Sequence, residues 1–259
     1  MARVRRRPGI GRVTRYCVPV AAASGPTVLL DADWSTNTIL NDSDLAITNG
    51  DPVKSWAFAT GGTATQALAV AAGADPQYLT WVAASGVHTN GLNAAVTLPT
   101  PVTIPADTEF RLYCRGHWSG SSGGLLAFLS SPQAGSEAGG TAFYIFNDTI
   151  DTRVGLALYE GGTTTVTGTV ATGDVLVLFS RNGAGDIQVA WSGSSTLQTV
   201  ASLSRQIQIA HVLAFGNDEA SSANINVFST TGNYFKSAKL TLGVSGRDTV
   251  YEAANGGTL

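Results

Sequence analysis

Nineteen residues, Asp174 to Ser192 (DVLVLFSRNGAGDIQVAWS), constrain the fold more than any other stretch of the chain. Val175 to Phe179 form an unbroken apolar run, the pattern of a strand covered on both faces. Arg181-Asn182-Gly183-Ala184-Gly185 follow, rich in residues that accept a positive φ. Ile187, Val189 and Trp191 then alternate with Gln188 and Ala190, so the next strand has one apolar face. Such a hairpin is not stable alone in water. The remaining chain must supply further strands and a second sheet. Phe179, Val189 and Trp191, with Trp56, are the expected centre of that core, and Trp34 and Trp81 also sit in strand patterns.

The chain can meet that demand. Its 259 residues suffice for one all-β domain, only 13% are charged, 30 are Gly and one is Met, so helix formers are scarce. Strand-like segments recur near residues 28, 45, 53, 79, 95, 110, 125, 142, 154, 175, 187, 209, 226 and 238, with turn residues between them. This spacing predicts an antiparallel β-sandwich or jelly roll, not alternating βαβ units. No internal repeat points to a solenoid or propeller, and no apolar run is long enough for a membrane-spanning helix.

The order of motifs carries a resemblance. Val53, Ser55 and Trp56 precede the Gly61-Gly62 break, Ala64-Thr65-Gln66, Pro76 and Tyr78, then Asn90-Gly91-Leu92 before a strand. This resembles concanavalin A-like and laminin G-like jelly-roll domains. Downstream, Phe110 to Tyr113, Leu125 to Phe128, Leu213 to Gly216 and Phe235 to Leu242 resemble later strands of that fold, so the likeness spans roughly residues 28 to 245. It implies an antiparallel jelly-roll β-sandwich over residues 26–259. Two departures stand out. Ala57-Phe58-Ala59-Thr60 replaces the usual Asp- or Asn-rich loop, and Ala95-Val96-Thr97-Leu98 is a weakened form of the next strand. No ligand site is carried over from those loops.

Charge is divided unevenly. Arg3, Arg5, Arg6, Arg7, Arg12 and Arg15 lie in the first 15 residues, with no acid among them. Removing these six from the chain's 15 basic residues leaves nine against 18 acids, a net of −9 beyond an arm of +6. Residues 1–25 show no helical or strand period and read as an extended basic arm attached to an acidic domain. An acidic protein neighbour is its expected partner. Nucleic acid is disfavoured, because no aromatic residues interleave the arginines. A secretory signal ending near Cys17 to Ala23 is the rival reading, disfavoured by Pro19 and the long basic lead. A free solvated tail is the third.

Catalytic signals are weak. Glu109, Glu137, Glu160, Glu219 and Glu252 do not form the closely spaced carboxylate strand that the resemblance associates with glycosidases. No G-x-S-x-G elbow is present, and His88, His117 and His211 are far apart in sequence. Three His and two Cys have no zinc spacing. Asn147, Asp148 and Asp151, or Asn217 and Asp218, could offer oxygens to calcium, but Asx residues in turns are more often turn formers. Cys17 and Cys114 read as two reduced thiols. We therefore expect no cofactor, no resident metal and no enzymatic activity.

One loop stands apart. Arg115-Gly116-His117-Trp118, followed by Ser119 to Gly124, is rich in Gly and Ser. His117 and Trp118 are the candidate glycan contacts, with Trp118 as a stacking platform. The competing reading ends the strand at Trp118 and packs it inward. Taken together, these features suggest a non-enzymatic virion structural protein of a tailed bacteriophage, a capsid decoration protein or fibre component. Its basic arm would anchor it to other capsid or tail proteins, and it would form homo-oligomers and touch host glycans. A carbohydrate-binding module or lectin-like adhesion protein is the alternative.

Overall fold

A computed structural model describes residues 25–67, 79–88, 95–120, 125–131, 141–147, 152–158, 162–194, 196–214, 232–255 and 259. The hairpin forms as its pattern demands. Strand β13 (Gly173–Arg181) pairs antiparallel with β14 (Asp186–Trp191). Asn182 shapes the turn: its Oδ1 accepts the N–H groups of Ala184 and Asp186, both at 3.0 Å, and Gly185 takes φ 86°. The continuous apolar run is explained by cover on both sides. Val175, Val177 and Phe179 enter the main core, and Leu176 and Leu178 join a second cluster with Tyr113, Ala190 and Leu259 on the opposite face.

The strands, numbered in chain order, are β1 (Thr27–Asp33), β2 (Thr38–Leu40), β3 (Ser55–Ala57), β4 (Thr63–Ala67), β5 (Thr80–Val82), β6 (Gly86–His88), β7 (Ala95–Ile104), β8 (Phe110–Trp118), β9 (Leu125–Ser130), β10 (Thr141–Asn147), β11 (Thr152–Leu158), β12 (Gly162–Thr167), β13, β14, β15 (Gln198–Ser202), β16 (Ile207–Ala214) and β17 (Tyr234–Leu242). A short helix, α1 (Thr249–Ala254), follows. Among the described residues they build an eight-stranded sheet, ordered β15-β14-β13-β8-β17-β6-β5 with β1 also on β17, and a nine-stranded sheet, ordered β12-β11-β10-β9-β16-β7-β4-β3-β2. Among the described residues every strand pairing is antiparallel. The chain passes repeatedly from one sheet to the other, which gives the jelly-roll sandwich its connectivity.

Side chains from both inner faces fill the space between the sheets. Trp56 is fully buried, meets Phe235 edge-on at 5.7 Å and donates its indole N–H to Asn37 Oδ1 at 3.1 Å. Phe143 of the nine-stranded sheet meets Phe179 of the other at 5.1 Å. Burying aromatic surface of this kind is the main source of stability in a sandwich. Phe179, Val189 and Trp191 are core, as their alternation predicts.

Arg181 closes one end of the core. It is fully buried and lies 5.4 Å over the Phe110 ring. Its guanidinium donates to the carbonyls of Thr108 at 2.7 Å, Arg205 at 2.8 Å and Leu203 at 3.3 Å, and to Pro105. Carbonyl dipoles thus solvate a buried charge and tie two loops to the β13 end.

Three expectations need correction. The segment near residue 45 makes only an isolated bridge, Leu40 with Ala46, and Leu45 is exposed. Trp34 and Trp81 are half-buried at the border of the core, 6.1 Å apart. Arg115 to Trp118 belong to β8 rather than a loop, because all four continue its pairing with β13. The strand expected near 226 lies outside the described residues, as do all six arginines of the arm, Cys17, Asp148, Asp151, Asn217 and Asp218. Cys114 is a buried thiol, and burial pushes its pKa well above the ordinary value.

Candidate ligand-binding face

Strand β8 decides what the outer face of the eight-stranded sheet looks like. Phe110, Leu112, Cys114, Gly116 and Trp118 point inward, so Arg111, Tyr113, Arg115 and His117 stand on the outside. Trp118 is fully buried and belongs to the main core. It therefore packs inward, and a stacking platform at this position is overturned by one step of strand alternation. His117, its neighbour, takes the opposite face.

The outer face has two halves. The first is covered by the C-terminal segment. Arg111 holds it by four bonds: Nε to the Gly246 carbonyl at 2.8 Å, Nη1 to Asp248 Oδ2 at 2.8 Å, and Nη2 to the carbonyls of Ser245 and Arg247 at 3.2 and 3.3 Å. Asp248 caps α1, accepting the Tyr251 N–H at 3.1 Å. The Tyr113 hydroxyl donates to Glu252 Oε1 and accepts the Asp248 N–H, each at 2.7 Å. Arg247 Nη2 pairs with Glu252 Oε2 at 2.7 Å. Burial raises the Glu252 carboxyl, but the Arg247 and Tyr113 hydrogen bonds outweigh it and hold the group below its ordinary range. Burial, then the Glu252 bond, raises the Tyr113 phenol.

The second half carries a line of polar aromatic side chains. Register places Thr80, His88, Tyr234, His117 and Asp174 side by side on β5, β6, β17, β8 and β13. The Tyr234 ring is stacked on both faces, by His117 at 4.4 Å and 11° and by His88 at 4.7 Å and 20°. The row therefore meets solvent through ring edges. His117 Nδ1 lies 3.2 Å from Asp174 Oδ1, His88 Nε2 lies 2.8 Å from Ser85 Oγ, and Lys236 Nζ donates to Asp174 Oδ2 at 2.5 Å. Lys236 also sits 5.6 Å over the Tyr234 ring.

Local sequence explains how the row is assembled. Gly86 has φ 120°, and a Cβ there would lie 2.3 Å from the Phe235 carbonyl oxygen. Only glycine lets β6 approach β17 this closely, and that approach seats His88 on Tyr234. Burial, then the charge of His117, lowers the His88 pKa. Burial raises Asp174, but its bonds from Lys236 and His117 prevail and keep it ionised below the ordinary carboxylate range. Burial, then Asp174, raises Tyr234.

Of the residues picked from sequence, the structure brings His117 into this row and sends Trp118 into the core. His88, Tyr234, Asp174 and Lys236 were not anticipated. They are distant in sequence, and only strand register unites them. Among the described residues, no three His, Cys, Asp or Glu side chains cluster as a metal site. The imidazole edges and the Asp174 carboxylate instead offer a line of hydrogen-bonding groups on a half-open sheet face.

No family model matches this chain, and no curated protein matches it. Solved structures do. A mutant GH54 α-L-arabinofuranosidase soaked with 4-nitrophenyl α-L-arabinofuranoside is similar with a TM-score of 0.52 at 14% identity, covering 85% of this chain and 60% of that one. The chain thus spans three-fifths of that enzyme's length. The CBM2 module of the evolved Dit of Lactobacillus casei BL23 phage J-1 has a TM-score of 0.43 at 10% identity, covering 86% of this chain and 98% of that one. Peanut lectin has a TM-score of 0.42 at 10% identity, covering 86% and 100%. Identities this low speak to fold and not to ligand. The strand order, the antiparallel pairing and the likeness to the arabinofuranosidase together make this chain an all-β, antiparallel jelly-roll sandwich.

Proposed function

We propose that the sandwich is a non-enzymatic binding module that contacts a saccharide through the His88–Tyr234–His117–Asp174 row. The observation that carries this reading is the row itself: donors and acceptors aligned across four strands on the half of the face that the C-terminal segment leaves uncovered. Saccharide hydroxyls pair with such edges, and Asp174 is 63% exposed and able to accept them. Two of the chain's glutamates support a non-catalytic role. Glu109 accepts the Ser245 hydroxyl at 3.0 Å, and Glu252 is clamped by Arg247 and Tyr113. A glycan array tests the reading. Wild-type protein should bind at least one glycan class, and His117→Ala and Tyr234→Ala should each lose it with the melting temperature little changed. Unaltered binding by both variants sinks it.

The division of charge favours a second, compatible reading. An arm bearing six arginines and no acid precedes a region of net charge −9. This supports a virion structural protein of a tailed bacteriophage, a capsid decoration protein or fibre component. Arg3, Arg5, Arg6, Arg7, Arg12 and Arg15 would anchor it to acidic surfaces of neighbouring virion proteins or of other copies of itself. Protein beginning at Thr27 should then fold but not join particles, and salt should weaken attachment of the full chain. Incorporation of the truncated chain at full copy number would reject the anchor.

A further inference from the structure

The row holds two imidazoles against the two faces of one phenol ring. Around it, among the described residues, the outer face presents Asp174 from β13, Arg115 from β8, Lys236 and Lys239 from β17, and Asp31 and Asp33 from β1. Asp174 pairs with Lys236, and Asp31 with Lys239 at 3.3 Å. Asp33 accepts the Ser35 N–H and hydroxyl, and Arg115 bonds the neutral Asn255 at 3.1 Å. In the covered half, Arg111 pairs with Asp248 and Arg247 with Glu252. These charges balance when both imidazoles are neutral.

Protonation breaks the balance. His88 and His117 lie on opposite faces of one phenol ring, whose π electrons favour an imidazolium at His88. An imidazolium has two N–H donors, so a protonated His88 can keep Ser85 on Nε2 and still donate from Nδ1. We propose that the row accepts an anionic saccharide, bearing carboxylate or sulfate groups, in mild acid and releases it near neutral pH, with His88 supplying the added positive charge. This rests on the saccharide-binding reading of the same row. Burial keeps His88 neutral at neutral pH, so its charge appears only in acid. A bound anion would then hold that proton in place.

Titration calorimetry on the full chain tests this, with oligogalacturonate as the carboxylated probe, sulfated dextran oligomers as the sulfated one and plain dextran oligomers as the neutral one. The arm's arginines stay charged throughout, so their contribution does not change between about pH 5 and about pH 7.5. Wild-type protein should bind at least one anionic probe about fivefold or more tightly in acid, from a half-buried charge of modest strength. The His88→Gln/His117→Gln double variant should lose that difference. Asp174→Asn, which removes the competing carboxylate, should bind the anionic probe more tightly at both pH values. Affinity independent of pH, or pH dependence kept in the double variant, overturns the inference. Equal binding of plain dextran also overturns it but leaves the saccharide reading intact. Binding of no probe, together with a silent glycan array, removes both.

Discussion

Tyr113 and His117 stand four residues apart on the same face of the same strand, yet the two halves of the sheet treat them differently. Around Tyr113, every strong polar group has a partner from the C-terminal segment: Arg111 with Asp248 and three carbonyls, Tyr113 with Glu252 and the Asp248 N–H, and Arg247 with Glu252. Apolar Leu176, Leu178, Ala190 and Leu259 pack beside them. Around His117 the groups pair with one another along the surface, and Asp174 remains largely open. The covered half spends its hydrogen-bonding capacity internally and serves the fold. The open half pairs its groups with one another at the surface and can serve a ligand. Identical backbone geometry yields structure on one side and a candidate site on the other, because among the described residues only one side has a covering segment.

This contrast can be broken by mutation. The largest effect is expected one step along the strand from the row. Trp118→Ala, which empties a fully buried core position, should lower stability by about 3–5 kcal/mol, as should Trp191→Ala. A loss below about 1 kcal/mol in denaturant titrations would place either side chain outside the core.

Next is the covered half. Glu252→Gln should cost about 1–3 kcal/mol, because it strips charge from bonds to Tyr113 and Arg247 at a buried position. Hydrogen exchange should quicken in residues 248–255 before the rest of the sheet. The sign with pH follows from a folded pKa held below 4.5: this stabilisation is present above the ordinary glutamate value and is lost as pH falls through the lowered one. The gap between wild type and Glu252→Gln should therefore close in acid. A gap that persists would assign the stability to packing instead.

In the open half, His117→Ala should change stability by less than about 0.5 kcal/mol, since the side chain is half-exposed and bridges only surface groups. The smallest effect is a pH slope. A folded His88 pKa below the ordinary 6.5 means that the unfolded chain binds a proton more readily, so stability should decline as pH falls below about 6.5. Melting curves of His88→Gln should lack that decline. A slope of equal size in the variant would trace it to other groups.

The parts that could be read beforehand share a local cause. Val175 to Phe179 signalled two-sided cover, and the structure supplies the main core on one side and the C-terminal cluster on the other. The identity of that cover was not legible. Helix α1 has only six residues, too few for a 3.6-residue period to show. Its cap was visible in retrospect as Asp248 before Thr249 to Ala254. His117 and Trp118 show the opposite failure. The Gly- and Ser-rich run after them suggested a loop, although alternation from Phe110 onward already set the two residues on opposite faces.

Alternation is a property of a single strand, so the residues alone established an all-β sandwich, the hairpin, the inward placing of Trp56, Phe179, Val189 and Trp191, and the division of charge between the first 15 residues and the remainder. The row of His88, Tyr234, His117 and Asp174 depends on three successive pairings between strands far apart in the chain. A slip of one residue in any of them would send part of the row into the core. Register is set by how the whole sheet buries its apolar face, and only the tertiary structure decides that.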